Sequence, residues 1–151
     1  MITILSIGKL KFYNDMLNEY AKRIRKYTKI NVVELKSVQD RNEEVAKEKE
    51  GKIITDKLGR MDKAYVIVLD TDGKQLASED FANMLGMEKR QGRDMVFVIG
   101  GPAGVSSAVL EKADAKLSIS KMTLQHDLAK LVLIEQIYRA YTILNKEPYH
   151  R

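Results

Sequence analysis

The sequence contains no cysteine and no tryptophan, and only two of its 151 residues are histidine. Without cysteine the chain has neither disulfides nor thiolate metal ligands, which is typical of a protein in a reducing compartment. Two histidines alone do not supply the cluster of ligands that zinc prefers. We therefore expect a cytoplasmic protein without a metal site.

Long apolar runs are also missing. No stretch approaches the roughly 20 residues that a membrane-spanning helix needs, and the start MITILSIGKL lacks the basic region of a signal peptide. Hydrophobic residues make up 44% of the chain and charged residues 31%, which suits a folded globular protein and argues against disorder. The length predicts a single domain over residues 1–151. The net charge of +5 favours anionic partners, RNA or DNA above all.

Strand-like and helix-like segments alternate along the chain. Apolar stretches predict five strands: ITILSIG, INVVEL, AYVIVLD, DMVFVI and AKLSIS. Helical spacing of apolar residues predicts helices over about 12–27, 41–58, 78–91, 107–112 and 127–144. We expect Asp40 and Ser78 to cap two of these helices, and TDGK at 71–74 to form a turn. The alternation predicts an α/β fold, with a mostly parallel sheet and helices on both faces.

A glycine-rich turn, GGPAG at 100–104, follows the fourth predicted strand. In open α/β sheets, ligands bind outside the carboxyl ends of the strands. Three such ends are candidates here: Leu69–Asp70, 99–101 and 118–120. The first strand is not followed by G-x-G-x-x-G, and the chain has no P-loop, so neither phosphate-binding motif is present. We interpret the glycines as allowing a ligand to approach the main chain; a simple turn into a helix remains the alternative.

The segment LSISKMTLQHD, residues 117–127, combines small hydroxyl side chains with apolar ones. Such a loop can wrap a ligand with its main chain, or it can be an ordinary connection with Asp127 as the helix cap. On the second interpretation His126 has a structural hydrogen-bonding role. Both interpretations stay open at this point.

The chain ends in Tyr149, His150 and Arg151. A tyrosine can stack on a base, a histidine can transfer a proton, and an arginine can hold a phosphate or another anion. The alternative is a solvated tail, since chain ends commonly fray. The tail is therefore a candidate for catalysis or for RNA binding.

Several of these segments together resemble the ribosomal RNA large subunit methyltransferase H family of the SPOUT superfamily. The resemblance is carried by FVIGGPAG, by LSISKMTLQHDLAKLVLIEQIYRAY and by the terminal YHR, and MITILSIGKLK and YAKRI also fit. It covers essentially the whole chain. It implies S-adenosylmethionine as methyl donor and N3 of a pseudouridine in large-subunit ribosomal RNA as acceptor, within the assembled ribosome. It also implies a homodimer and a C-terminal trefoil knot.

The resemblance assigns residues to the donor site: Leu69, Gly100, Ile119, Ser120, Lys121, Met122, Thr123 and Leu124. The candidate catalytic residues are His150, Arg139, Tyr149 and Arg151. Among these, His150 is the candidate base, and Arg139 or Arg151 would stabilise the negative charge of the acceptor. The family often has proline where this chain has Gln125, which implies a less rigid loop.

The final helix is apolar on most of its sides, whereas a surface helix needs only one apolar stripe. We therefore expect its surplus to be buried against a second subunit. The residues concerned are Leu128, Leu131, Val132, Leu133, Ile134, Ile137, Tyr138, Tyr141, Ile143 and Leu144.

Two other functions remain open from the sequence. A non-catalytic RNA-binding α/β domain would use the basic face of the first helix, formed by Lys22, Arg23, Arg25 and Lys26. A flavodoxin-type domain would bind a small nucleotide after the first strand, where no phosphate loop is found. Binding of S-adenosylmethionine distinguishes both from a methyltransferase.

Overall fold

The structure, a computed structural model, describes residues 1–150. Within these residues five strands and five α-helices alternate, as the sequence predicts, and a short 3-10 helix follows at Pro148–His150. The strands are β1 Ile2–Ile7, β2 Ile30–Leu35, β3 Tyr65–Lys74, β4 Met95–Ile99 and β5 Ala115–Leu117. The helices are α1 Asn14–Ile24, α2 Glu43–Leu58, α3 Ser78–Arg90, α4 Ser107–Glu111 and α5 His126–Leu144.

All five strands form one parallel sheet in the order β2-β1-β4-β3-β5. The central strands β1 and β4 pair with Ile2 opposite Met95 and Ile4 opposite Phe97. Every residue of both strands is buried. A parallel sheet covered on both faces favours such continuous apolar strands, because both faces must be shielded from water. The predicted fold class is confirmed.

Two hydrophobic cores lie on opposite faces of the sheet. Ile4 and Phe97 point into a core shared with α1, α3 and α5. Their neighbours Leu5 and Val98 point into the second core, with α2 and α4. This alternation follows from the two-residue repeat of a strand. The strands β4, β3 and β5 are neighbours in this parallel sheet, so the loops that follow them leave from the same edge. The carboxyl ends of the three strands therefore lie close together.

The N-terminus of α2 differs from its predicted start. The cap is Asn42, whose side-chain oxygen accepts hydrogen bonds from the main-chain N–H groups of Glu44 and Val45. The Asp40 carboxylate instead accepts from the N–H of Asn42, at 2.9 Å. The prediction of Asp40 as the cap is therefore wrong by two residues, since Asp40 caps the turn before the helix.

The prediction of Ser78 as the cap of α3 is also wrong, and so is the alternative of Asp127 as the cap of α5. The Ser78 hydroxyl donates to the Gln136 side chain at 2.7 Å and so joins α3 to α5. At α5, the Gln125 side chain accepts from the N–H of Leu128 at 2.9 Å and serves as the cap in place of Asp127. Both differences arise because a polar side chain near a helix start can bind a partner from another element.

The segment 71–74 continues strand β3 and does not end it in a turn. Both Leu69 and Lys74 pair with Leu117, so the residues between them form an irregular excursion within the strand. At Gly73 a β-carbon would lie 2.6 Å from the Leu117 backbone, so the two chains approach too closely for a side chain there. The prediction of a turn is wrong because pairing with β5 resumes after the excursion.

Within residues 1–150, no helix is both long and apolar enough to cross a membrane. In the same part of the chain, no three His, Cys, Asp or Glu side chains come together as a group that could hold a metal ion.

Candidate active site

A cavity of about 530 Å³ lies at the carboxyl edge of the sheet. The three strand ends that the sequence indicated meet in its walls, together with the start of α5. Small-molecule sites typically enclose roughly 300–1,000 Å³, so the cavity has the size of a cofactor site. The lining residues are Leu69, Asp70, Thr71, Ile99, Gly100, Gly101, Pro102, Gly104, Val105, Leu117, Ser118, Ile119, Ser120, Met122, Thr123, Leu124, Gln125, His126 and Ala129.

The structure places seven of the eight candidate donor-site residues in this cavity. These are Leu69, Gly100, Ile119, Ser120, Met122, Thr123 and Leu124. The exception is Lys121, which is exposed in the same loop and does not line the cavity. Sequence reasoning missed the contribution of α5, where His126 and Ala129 both line the wall. Their i,i+3 spacing places them on one side of the helix and is the signal that would have found them.

The glycine turn after β4 is held together by contacts within the protein. A β-carbon at Gly100 would lie 2.8 Å from the carbonyl oxygen of Gly104, and one at Gly101 would lie 2.6 Å from the Glu50 carboxylate. Gly101 and Gly104 form an isolated antiparallel bridge, and Gly104 has a φ of +88° that favours glycine. The turn therefore needs its glycines to fold back on itself, although all three also line the cavity.

The loop between β5 and α5 is shaped by its own hydroxyl groups. The buried Ser118 hydroxyl donates to the carbonyl oxygen of Ser120 at 3.0 Å. The Ser120 hydroxyl oxygen in turn accepts from the N–H of Met122 at 3.0 Å. The Met122 side chain is 77% exposed and forms the outer rim of the cavity. Two of the hydroxyls thus fix the loop conformation, which leaves main-chain groups and apolar side chains to form the wall.

His126 lies in the cavity wall with its Nε2 atom buried and without a hydrogen-bond partner among the described residues. Burial, together with the charge of Lys130, lowers its pKa, although the charge of Asp127 and a hydrogen bond to the Ile7 main chain oppose the shift. Lys130 is fully buried, with its Nζ atom 3.5 Å from Glu34 Oε1. At neutral pH the cavity wall therefore contains an uncharged imidazole.

The C-terminal tail folds back onto α5. The Tyr149 hydroxyl donates to Glu135 at 2.9 Å and lies 3.3 Å from the Tyr20 hydroxyl. The Tyr149 ring packs edge-on against Tyr138, with 4.7 Å between centroids, and the guanidinium carbon of Arg139 lies 4.8 Å from the Tyr149 ring centre. The alternative of a solvated tail is therefore wrong for Tyr149.

Two of the candidate catalytic residues, Arg139 and Tyr149, share Glu135 as their partner. Arg139 donates to Glu135 Oε1 from Nε at 3.1 Å and from Nη2 at 2.7 Å, and this hydrogen bonding raises its pKa. Burial raises the pKa of Tyr149, and its hydrogen bonds to Tyr20 and Glu135 add to the shift. Both side chains are therefore held in one protonation state, with the guanidinium charged and the phenol neutral.

His150 lies apart from this pair, with Nε2 2.8 Å from Glu79 Oε1 at the start of α3. Arg151 lies outside the described residues. Neither Tyr149 nor His150 lines the cavity. Glu135, where the tail docks, is nine residues beyond His126 and so about 13 Å along the helix. Within residues 1–150, the structure does not bring the candidate catalytic residues to the candidate donor site of the same chain.

A family model, curated proteins and solved structures that match this chain are all described as methyltransferases or methylases. A family model described as a predicted SPOUT methyltransferase matches residues 1–150. The proteins named ribosomal RNA large subunit methyltransferase H from Clostridium beijerinckii and Clostridium acetobutylicum are each 42% identical over alignments of 159 residues, which cover 99% of this chain and of each relative. Among solved structures, a probable methylase family protein from Haemophilus influenzae matches with a TM-score of 0.58 at 12% identity. That match covers 99% of this chain and 70% of the other, and it supports the fold.

Proposed function

Because the chain belongs to the ribosomal RNA large subunit methyltransferase H family of SPOUT methyltransferases, we propose that it methylates N3 of a pseudouridine in large-subunit ribosomal RNA. The methyl donor is S-adenosylmethionine, and the substrate is the assembled ribosome in the cytoplasm. The observation that carries the proposal is the cavity of about 530 Å³ in which seven of the eight candidate donor-site residues meet. We further propose that residues 1–151 are a single domain with a C-terminal trefoil knot; the family match over 1–150 supports the single domain.

The cavity suits a cationic donor. Its described lining contains the Asp70 carboxylate but no lysine or arginine, and His126 in the wall is neutral. When bound, S-adenosylmethionine supplies an electrophilic methyl group on a positively charged sulfur, and a wall without cations avoids repelling that charge. Leu69, Ile119 and Leu124 offer apolar surface for an adenine ring. The open space beside Gly104, where a β-carbon would meet no atom within 4 Å, leaves room for close approach.

The candidate catalytic residues would activate the acceptor nitrogen by removing its proton and stabilising the resulting negative charge. N3 of a pseudouridine carries a proton and becomes a good nucleophile only when that proton leaves. We assign removal of the proton to His150, and stabilisation of the resulting negative charge to Arg139 or Arg151. The Tyr149 ring, held by Glu135 and Tyr138, would orient the acceptor base. The site must also place N3 about 3–3.5 Å from the methyl carbon.

A homodimer would bring the candidate catalytic residues of one chain close to the candidate donor site of the other. In one chain, the tail docks about 13 Å along α5 from the start of the helix, where the cavity lies. If two α5 helices pack antiparallel, the tail of one subunit lies near the cavity of the other. Fewer apolar side chains of α5 are left for a second subunit than the sequence suggests, because α1 and α3 of the same chain both pack against this helix. Half-buried apolar side chains nevertheless remain on the helix: Leu128, Val132, Tyr138, Ile143 and Leu144.

Light scattering tests the dimer. We expect a mass of about twice 17.2 kDa at micromolar concentration, because α5 still carries apolar surface that one chain leaves partly exposed to water. Replacing Val132 with glutamate should shift the mass toward that of the monomer, whereas the same change at the exposed Val45 on α2 is the matched control. A wild-type protein that is monomeric under these conditions contradicts the shared site.

The activity is tested on ribosomes from a strain that lacks the modification. Incubation with the protein and S-adenosylmethionine should add one methyl group to one pseudouridine of the large-subunit RNA, as read by mass spectrometry of nuclease fragments. Calorimetry with S-adenosylmethionine runs alongside. Saturable donor binding without transfer would refute the assigned substrate, and the absence of donor binding by folded protein would favour a non-catalytic RNA-binding domain.

A further inference from the structure

The loop between β1 and α1 presents an unusual amount of apolar surface to solvent. Phe12 is 59% exposed and Tyr13 41%, and their rings lie 6.3 Å apart. Next to them, Met16 in the first turn of α1 is 52% exposed. Large exposed apolar side chains that lie together indicate an interaction site more often than isolated ones do. We call residues 8–13 the rim loop.

Two carboxylates from other elements hold the main chain of the rim loop. Glu34 on β2 accepts from the N–H of Leu10 at 2.7 Å. Asp127 on α5, which is 4% exposed, accepts from the N–H groups of Lys11 and Phe12 at 2.9 and 3.1 Å. Burial opposes ionisation of Asp127, but these two hydrogen bonds lead a set of contacts that keeps its pKa below the usual value. Three consecutive N–H groups are thus fixed by anions, and the loop is ordered before any partner binds.

The backbone at Tyr13 supports the same conclusion. Tyr13 precedes α1 with a φ of +67°, in the left-handed region that bulky residues rarely adopt. Such a conformation persists only where the surroundings impose it, and it is commonly retained at functional positions. The rim loop therefore holds two exposed aromatic rings in a defined arrangement at some conformational cost.

Charge and position indicate which partner the loop fits. Lys9 and Lys11 are exposed on the same loop and form no ion pair within residues 1–150. Asp127 adjoins His126, a wall residue of the cavity, so the loop is anchored at the margin of the candidate donor site. Unpaired RNA combines phosphates, which attract lysines, with bases, which stack on aromatic rings.

We propose that the rim loop binds single-stranded RNA next to the nucleotide that is methylated. Phe12 and Tyr13 stack on unpaired bases, and Lys9 and Lys11 contact the neighbouring phosphates. This inference rests on the proposed function for the identity of the RNA. An ordered loop loses little conformational entropy on binding, which explains why carboxylates from β2 and α5 hold a segment whose own side chains are exposed.

The test compares three variants of the full-length protein for binding to ribosomes that lack the modification. The first carries Phe12→Ala with Tyr13→Asn, because asparagine tolerates the left-handed backbone at position 13. The second carries Lys9→Gln with Lys11→Gln. The control is Met87→Ala, which removes a similarly exposed apolar side chain from α3.

We expect the aromatic variant to bind ribosomes at least tenfold more weakly, since stacking on each base contributes about that factor or more. The lysine variant should lower the slope of log affinity against log salt by about 1.4, at roughly 0.7 for each phosphate that the protein no longer neutralises. Donor affinity by calorimetry, mass by light scattering and the thermal unfolding midpoint should stay as in the wild type. Met87→Ala should change none of these.

The outcomes separate this inference from the proposed function. If the wild type methylates ribosomes and the aromatic variant binds them normally, the rim-loop proposal is overturned alone. Conversion of the aromatic variant to a monomer also overturns it, because the patch would then contact a second copy of the chain. If the wild type binds ribosomes but does not methylate them, and the variants lose binding, the loop proposal stands and the proposed function fails.

Discussion

Substitution of Gly100 by valine is expected to weaken binding of S-adenosylmethionine at least a hundredfold, about 2.7 kcal/mol, while the sheet stays folded. A β-carbon at this position would lie 2.8 Å from the Gly104 carbonyl oxygen and 2.8 Å from Val105 Cγ2. The turn at 100–104 must therefore open, and Gly104 and Val105 both belong to the cavity wall. The effect is on the shape of the donor site, and calorimetry of the purified variant measures it.

A glycine outside the cavity provides the control. At Gly59, after α2, a β-carbon would lie 3.4 Å from the Thr55 carbonyl oxygen, so Gly59→Ala should leave donor binding as in the wild type. Circular dichroism establishes whether each variant is folded. If Gly100→Val does not fold, Gly100→Ala applies the same contact with less bulk and should still lower affinity. Donor binding within threefold of the wild type by either folded variant contradicts the placement of the donor site.

Deletion of residues 149–151 is expected to lower the single-turnover rate of methyl transfer by at least a hundredfold, with donor affinity and dimer mass nearly unchanged. The deletion removes the candidate base His150 and the Tyr149 ring that packs on Tyr138. It leaves the cavity wall intact, because neither residue lines it. Measurement at saturating ribosome concentration separates the two possible roles of the tail. Saturation would restore the rate if the tail only helped to bind RNA.

Point variants separate the contributions of Tyr149 and His150 to the effect of the deletion. Tyr149→Phe keeps the ring but loses the hydrogen bond to Glu135, so it should reduce the rate less than the deletion does. His150→Gln should reduce the rate strongly, because the imidazole assigned as the base is lost. A rate for His150→Gln equal to the wild type, at every pH tested, would exclude His150 as the base.

Mixing two inactive chains tests whether the site is shared between subunits. A heterodimer of a tail-deleted chain with a Gly100→Val chain would contain one intact cavity next to one intact tail. About one working site per heterodimer should therefore be recovered, and each homodimer alone provides the control. If subunit exchange is demonstrated and activity is still not recovered, the shared site is refuted.

The sequence by itself determined the order of the elements, the parallel sheet and the edge at which the cavity lies. Apolar stretches such as AYVIVLD and DMVFVI identify buried strands because a short, continuous apolar run is a pattern that can be read directly from neighbouring residues. The end of a parallel strand then indicates the site, as it does for Leu69 and Gly100. The resemblance to a family added the candidate residues of the 119–124 loop, which periodicity alone would not have selected.

Only the tertiary structure decided how distant side chains meet. The Glu50 carboxylate lies against Gly101 and explains a glycine that the sequence associated with a ligand. Glu34 and Asp127 hold the rim loop across 24 and 116 residues of sequence. Tyr149 docks on Glu135 instead of extending into solvent. Each of these contacts depends on which elements lie side by side after the helices and strands have packed. A polar side chain in the sequence does not indicate whether its partner is the nearest main chain or a residue from a distant element.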